Sequence, residues 1–188
     1  MQKALLFPIL LLLFLTQSFF QCGKCEPDVW YYQAKQLKTA HLNTSGLFPL
    51  TIISGAQGDL DHYGLRLFIE SEMLHPEDTL KEVCESVYLA LFPQITDCAI
   101  YAVNGIGNEY PPGALVSNFF RYADRRTSPL RYFSVTEAAA ALTQPSGNGF
   151  DFNMTTPAPA AGWYQFEIRL LRGDSSALSI TTDSVFLQ

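Results

Sequence analysis

Residues Tyr164 to Leu171 read YQFEIRLL, and this stretch decides the fold class. Tyr164, Phe166, Ile168 and Leu170 fall on one side of an extended chain, while Gln165, Glu167 and Arg169 fall on the other. A side-chain period of two marks a β-strand with one face in a core and the other in water. The run ends at Arg172-Gly173-Asp174-Ser175-Ser176, where Gly-Asp between alternating segments signals a hairpin. Past the turn, Leu178 and Ile180 share a face, and Val185 and Leu187 close the chain.

The same period recurs upstream. Leu65, Leu67 and Ile69 alternate with Arg66, Phe68 and Glu70. An aromatic strand from Val29 to Leu37, led by Trp30, Tyr31 and Tyr32, opens the fold and is broken by Asn43-Thr44-Ser45-Gly46. Leu50 to Ile53 and Phe150 to Met154 are short strands, and Ile95 to Val103 is an apolar strand expected to be buried on both faces. One segment changes period. From Pro76 to Leu91, Leu80, Val83, Cys84, Val87, Tyr88 and Leu91 recur at helical spacing, with Glu77 and Asp78 at the positive end of the dipole and Pro93 beyond the end. This predicts one amphipathic helix. An Ala-rich run from Ser134 to Leu142 predicts one or two further helical turns, capped by Ser134 or Thr136. Many short strands separated by turn signals predict a mainly β fold: an antiparallel immunoglobulin-like sandwich.

The sandwich domain is read as 29–188, preceded by a tether, 22–28, and an export leader, 1–21. Lys3 supplies a positive start, and Ala4 to Gln21 carries no charge. Three readings of the leader stay open. Cys22 is the lipid-carrying first residue of a mature lipoprotein, although Gln21 is larger than the residue that usually precedes such a cysteine. Alternatively, Thr16-Gln17-Ser18 marks an ordinary cleavage, or the segment is a retained anchor interrupted by Pro8. The balance of 18 acidic to 12 basic residues argues against a nucleic-acid or polybasic membrane-surface role. Arg121, Arg125, Arg126 and Arg131 cluster locally, but Asp124 among them suggests a solvated loop.

Four cysteines are present, Cys22, Cys25, Cys84 and Cys98. Export favours disulfides: with Cys22 lipidated, Cys84 and Cys98 form the natural pair and Cys25 is left over, whereas cleavage at Ser18 lets all four pair. Cys84 and Cys98 bracket a short loop, and two unpaired core thiols are the alternative. Cys22-Gly23-Lys24-Cys25 imitates a redox motif but lacks a preceding strand and a following helix.

A leader ending at Cys22, the Trp30-Tyr31-Tyr32 strand, Cys98-Ala99-Ile100-Tyr101-Ala102-Val103 before Asn108-Glu109-Tyr110-Pro111-Pro112-Gly113, and the closing Phe166-Glu167-Ile168-Arg169-Leu170 and Val185-Phe186-Leu187 together resemble a family of uncharacterised Bacteroidetes cell-envelope lipoproteins. The resemblance spans nearly the whole chain. It implies an immunoglobulin-like envelope domain and supplies no catalytic residues.

The best polar constellation is Asp59, Asp61 and His62, two carboxylates and an imidazole within four positions. Such a set can ligate a metal or hold a water, and it is equally what a solvated turn after Gly58 contains. His41 and His75 stand beside turns with no sequence partner. No nucleophile elbow, zinc-protease motif or phosphate loop is present, and Gly105-Ile106-Gly107-Asn108 is too short for a dinucleotide fingerprint, so no cofactor is expected. Arg172-Gly173-Asp174 is explained by hairpin chemistry. Tyr110, Phe119, Phe120 and Tyr122 are the candidate binding residues, as an aromatic platform for a glycan or peptide; the competing reading places them in the core. The leading functional expectation is a non-enzymatic envelope lipoprotein: a binding or structural module held at the membrane by its lipid, with an envelope protein or glycan as partner. The alternative is an exported metal-dependent hydrolase using Asp59, Asp61 and His62.

Overall fold

A computed structural model describes residues 28–53, 55–74, 87–144, 146–156 and 160–188. The leader, most of the tether and residues 75–86, with Cys84, lie outside them. The chain divides into two units, Met1–Val29 with Glu77–Tyr88, and Trp30–Pro76 with Leu89–Gln188. The second carries the sheets and core.

In chain order the strands are β1 (Asp28–Asn43), β2 (Leu50–Ile52), β3 (Gln57–Gly58), β4 (Tyr63–Met73), β5 (Val87–Leu91), β6 (Ile95–Ala102) and β7 (Ala114–Leu115). There follow β8 (Phe120–Asp124), β9 (Arg131–Ser134), β10 (Phe150–Met154), β11 (Gly162–Tyr164), β12 (Phe166–Arg172), β13 (Ala177–Thr181) and β14 (Val185–Leu187). A seven-stranded antiparallel sheet runs β2-β1-β4-β10-β8-β9, with β5 beside β1. A four-stranded antiparallel sheet runs β13-β12-β6-β7, and a three-stranded sheet runs β11-β14-β3. The fold is a β-sandwich, as the period-two stretches predict.

Register puts apolar residues of both large sheets into one core. Ile168 pairs with Ile100 and Leu170 with Cys98 across β12 and β6. Leu65, Leu67, Phe150, Phe152, Phe120 and Tyr122 face them from β4, β10 and β8. Phe166 is the junction. Its ring centroid lies 5.4 Å from Phe120 and 5.9 Å from Tyr63 on the seven-stranded sheet, and 6.3 Å from Tyr164 on the three-stranded sheet. Offset and edge-on ring pairs at these separations add to the burial of apolar area.

Two expected elements differ. Val87–Leu91, read as the end of the amphipathic helix, is strand β5, and the rest of that prediction lies outside the described residues. Val87, Leu89 and Leu91 satisfy a period of two as well as Val87 and Leu91 satisfy a helix, so a short apolar run leaves the choice to tertiary pairing. β6 is buried on one face only: Cys98, Ile100 and Ala102 are inside and the residues between them are half-exposed.

One α-helical turn is present among the described residues, α1 (Ala139–Leu142), packed on β6. The turn before it is fastened by Ser134 and Glu137. The Ser134 N–H and Oγ–H donate to Glu137 Oε2 at 2.8 and 2.7 Å, and the Glu137 N–H donates to Ser134 Oγ at 3.2 Å. This reciprocal box closes the preceding turn; the helix itself is shorter than expected and begins behind Ala138, with no side-chain cap from Ser134 or Thr136. No helix among the described residues is long and apolar enough to cross a membrane.

Candidate functional site: an arginine-lined cleft

The strands that turn Leu65, Leu67, Phe150 and Phe152 inward turn Arg66, Phe68 and Asp151 outward. Register sets Asp151 of β10 directly opposite Arg66 of β4 and, on its other side, Ala123 of β8. Directly opposed residues on one sheet face are within side-chain reach. Arg66 donates to Asp151 through Nε at 2.5 Å and Nη2 at 2.9 Å. Arg125, just past β8, donates through Nε to the second carboxylate oxygen at 2.6 Å. The Asp151 side chain is 2% exposed, against 22% for Arg66 and 35% for Arg125. The carboxylate hydrogen bond raises the Arg66 pKa further, against the opposing effect of burial.

These groups lie in a cleft of about 530 Å³. The strands supply its base. Phe48 and Pro49 from the β1–β2 loop, the Ser146–Gly149 loop, and Arg125 and Arg126 line the rest. Arg126 pairs with Asp124, its Nε donating to Oδ1 at 2.9 Å and Nη2 to Oδ2 at 3.1 Å. That contact is the main reason the Asp124 carboxyl lies below its ordinary range. Among the described residues three guanidiniums thus meet two carboxylates, which leaves one positive charge unmatched in a protein of net charge −6.

Gly149 brings the loop down onto the strand. It has φ +74°, and a Cβ there would sit 2.9 Å from both Arg66 Cγ and the Leu67 carbonyl oxygen. Both the backbone region and the space exclude a larger residue.

Of the residues singled out from sequence, Tyr122 and the clustered Arg125 and Arg126, read there as part of a solvated loop, line this cleft, and the polar trio lies elsewhere. Asp59, Asp61 and His62 share a single 3-10 turn, Leu60–His62, capped by Asp59. Asp59 accepts the Asp61 N–H through Oδ1 and meets His62 Nδ1 through Oδ2, both at 2.9 Å. The His62 contact, then the Asp61 N–H, hold the Asp59 carboxyl below its ordinary value. All three side chains are exposed. Among the described residues no three His, Cys, Asp or Glu side chains are grouped to hold a metal.

The aromatic platform is corrected. Phe119, Phe120 and Tyr122 are buried, and Tyr110 packs its ring against Phe119 at 4.9 Å. The physical reason is a strand that went unread: β8 points Phe120 and Tyr122 inward and pairs with β9 and β10. Of the expected Cys84–Cys98 pair, Cys98 is a free, buried thiol and Cys84 lies outside the described residues. Burial, with Asp97 second, pushes the Cys98 thiol well up, which makes it unreactive.

The cleft itself was missed. Its sequence signals were an Arg in mid-strand at Arg66 and an Asp between two phenylalanines at Asp151, but nothing in the chain states that they pair. No family model, curated protein or solved structure matches the chain.

Proposed function

We propose that the chain is an envelope lipoprotein, anchored through Cys22, whose sandwich is a binding module with the arginine-lined cleft as its seat for an anionic ligand. The unmatched positive charge over Asp151 carries this reading. Guanidiniums with their Nε–H groups already held by a buried carboxylate keep their terminal N–H groups aimed, so an incoming anion meets donors that need little ordering. The same contacts argue for binding over catalysis. A general base must reach the proton it takes, and the Asp151 carboxylate is 2% exposed and already accepts three arginine N–H groups.

Thermal melting of the full chain with carboxylates, phosphates and sulfates tests the cleft. A ligand at ten times its Kd stabilises by about 1.4 kcal/mol, a rise of roughly 3 °C for a domain of this size. The rise should vanish in Arg125→Gln. If no anion shifts the midpoint beyond chloride at equal ionic strength, the binding reading fails. Anchoring is tested separately. The mature N-terminus should be an acylated Cys22, and Cys22→Ala should release the protein from membranes; an unmodified start at Phe19 refutes it.

A further inference from the structure

We propose that the anion this cleft takes is the carboxylate of a sugar ring, a uronic acid residue of an acidic glycan. The inference rests on the reading of the cleft as an anion seat and names the class of ligand.

Charge sets the first limit. One unmatched guanidinium charge suits a monoanion, whereas a phosphomonoester brings close to two negative charges. Geometry agrees. Arg125 spends only Nε on Asp151, and its two terminal nitrogens make no hydrogen bond among the described residues; Arg66 spends Nε and Nη2 and keeps Nη1. A planar carboxylate matches such a fork of N–H donors.

The base of the cleft sets the second limit. β4 lies between β1 and β10, β10 between β4 and β8, and β8 between β10 and β9. Every one of these strands is paired on both sides, so the cleft offers no sheet edge to which an extended peptide could add as a strand. Recognition is left to side chains. Those available are of two kinds. Phe48, 73% exposed, and Phe68 offer ring faces, and Ser146 and Asn148 offer hydroxyl and amide groups. Aromatic faces suit the apolar C–H face of a pyranose, and the polar pair suits its hydroxyls. A volume of about 530 Å³ lies within the usual range for small-ligand sites.

Calorimetric titration of the full chain with trimers of galacturonic, glucuronic and mannuronic acid tests the inference. The controls are the same trimers with carboxyls reduced to alcohols, glucose 6-phosphate, and a tripeptide with a free C-terminal carboxylate. At least one uronate trimer should bind ten times or more tightly than its reduced form. Arg125→Gln should remove that advantage. Phe48→Ala should weaken the trimer several-fold while leaving acetate-level competition unchanged. Should Arg125→Gln not fold, judged by circular dichroism, Arg125→Lys keeps the charge and loses the fork, and should still weaken the trimer. Tighter binding of the phosphate or the peptide than of every uronate overturns the sugar assignment and leaves the anion-binding reading standing. Binding by none of the anions overturns both.

Discussion

His41 is buried on β1 with a hydrogen bond at each ring nitrogen. Nε2 lies 3.0 Å from the Asp183 carbonyl oxygen, which can only accept, so Nε2 carries the proton and Nδ1 accepts from the Tyr63 hydroxyl at 2.7 Å. Burial lowers the His41 pKa below its ordinary 6.5, with the Asp183 carbonyl and carboxylate opposing. The unfolded chain therefore binds a proton that the folded chain refuses. Stability from this site is complete above about pH 6.5 and is lost as pH falls below it, until the lowered folded value is reached. Urea midpoints at pH 7.5 and 5.5 should differ less in His41→Gln than in the parent; equal differences would show that His41 is not the group responsible. In sequence His41 stood alone beside a turn, because its carbonyl partner is 142 positions away. Asp151 poses the same problem, its Arg66 partner being 85 positions away. Removing one partner of a buried pair costs about 3–5 kcal/mol when the other is left without water. Both arginines here keep solvent access, so Asp151→Ala should cost less, about 2–3 kcal/mol by urea unfolding. A loss below 1 kcal/mol would mean the arginines rehydrate freely and are not held by the carboxylate.

Elements were legible where a local rule governed them. Ser134 could be named as a turn-closing residue because its reach is one turn, although its partner Glu137 went unread, and β12 could be read because its period is unbroken from Phe166 to Leu170. β8 and β9 escaped because two short strands around Arg125-Arg126-Thr127 carry little periodicity, and β5 because five residues fit helix and strand alike. The Ser146–Gly149 loop belongs to the same class: Ser-Gly-Asn-Gly is turn-forming by composition, but nothing in those four residues states an approach to Arg66. Gly149 and Gly113 separate the two contributions. Both have positive φ, +74° and +79°, but a Cβ at Gly113 meets nothing within 4 Å while one at Gly149 meets Arg66 and the Leu67 backbone. Gly113→Ala should thus cost roughly 1 kcal/mol of backbone strain. Gly149→Ala should cost at least about 1 kcal/mol more, since overpacking adds to the strain, and it should also weaken anion binding by displacing Arg66. Equal losses in the two variants would place the loop farther from the strand than the geometry states.

At the scale of the molecule, the alternation in YQFEIRLL could announce a sandwich because burying one face of a strand requires a second layer. It could not announce the strand order, which is set by pairings such as β10 with β4, or where three sheets meet. That meeting point is Phe166, fully buried against Phe120, Tyr63 and Tyr164. Phe120 and Phe166 sit on opposite sheets and touch edge to face, so truncating either opens a cavity that the other lines. Each Phe→Ala change should cost about 3–5 kcal/mol, a large share of a typical domain's stability. The two losses should not add. The second truncation enlarges a cavity already made, and contact pairs of this kind couple by about 0.5–3 kcal/mol. Phe186, half-exposed on β14 and packed on Trp163, supplies the control: its truncation should be milder and additive with Phe166→Ala. Denaturant unfolding of the two double mutants decides the matter. Coupling between Phe120 and Phe166 with none between Phe186 and Phe166 is expected if the sheets are locked through this ring pair, and additivity in both would mean that the layers are held by diffuse contact with no central joint.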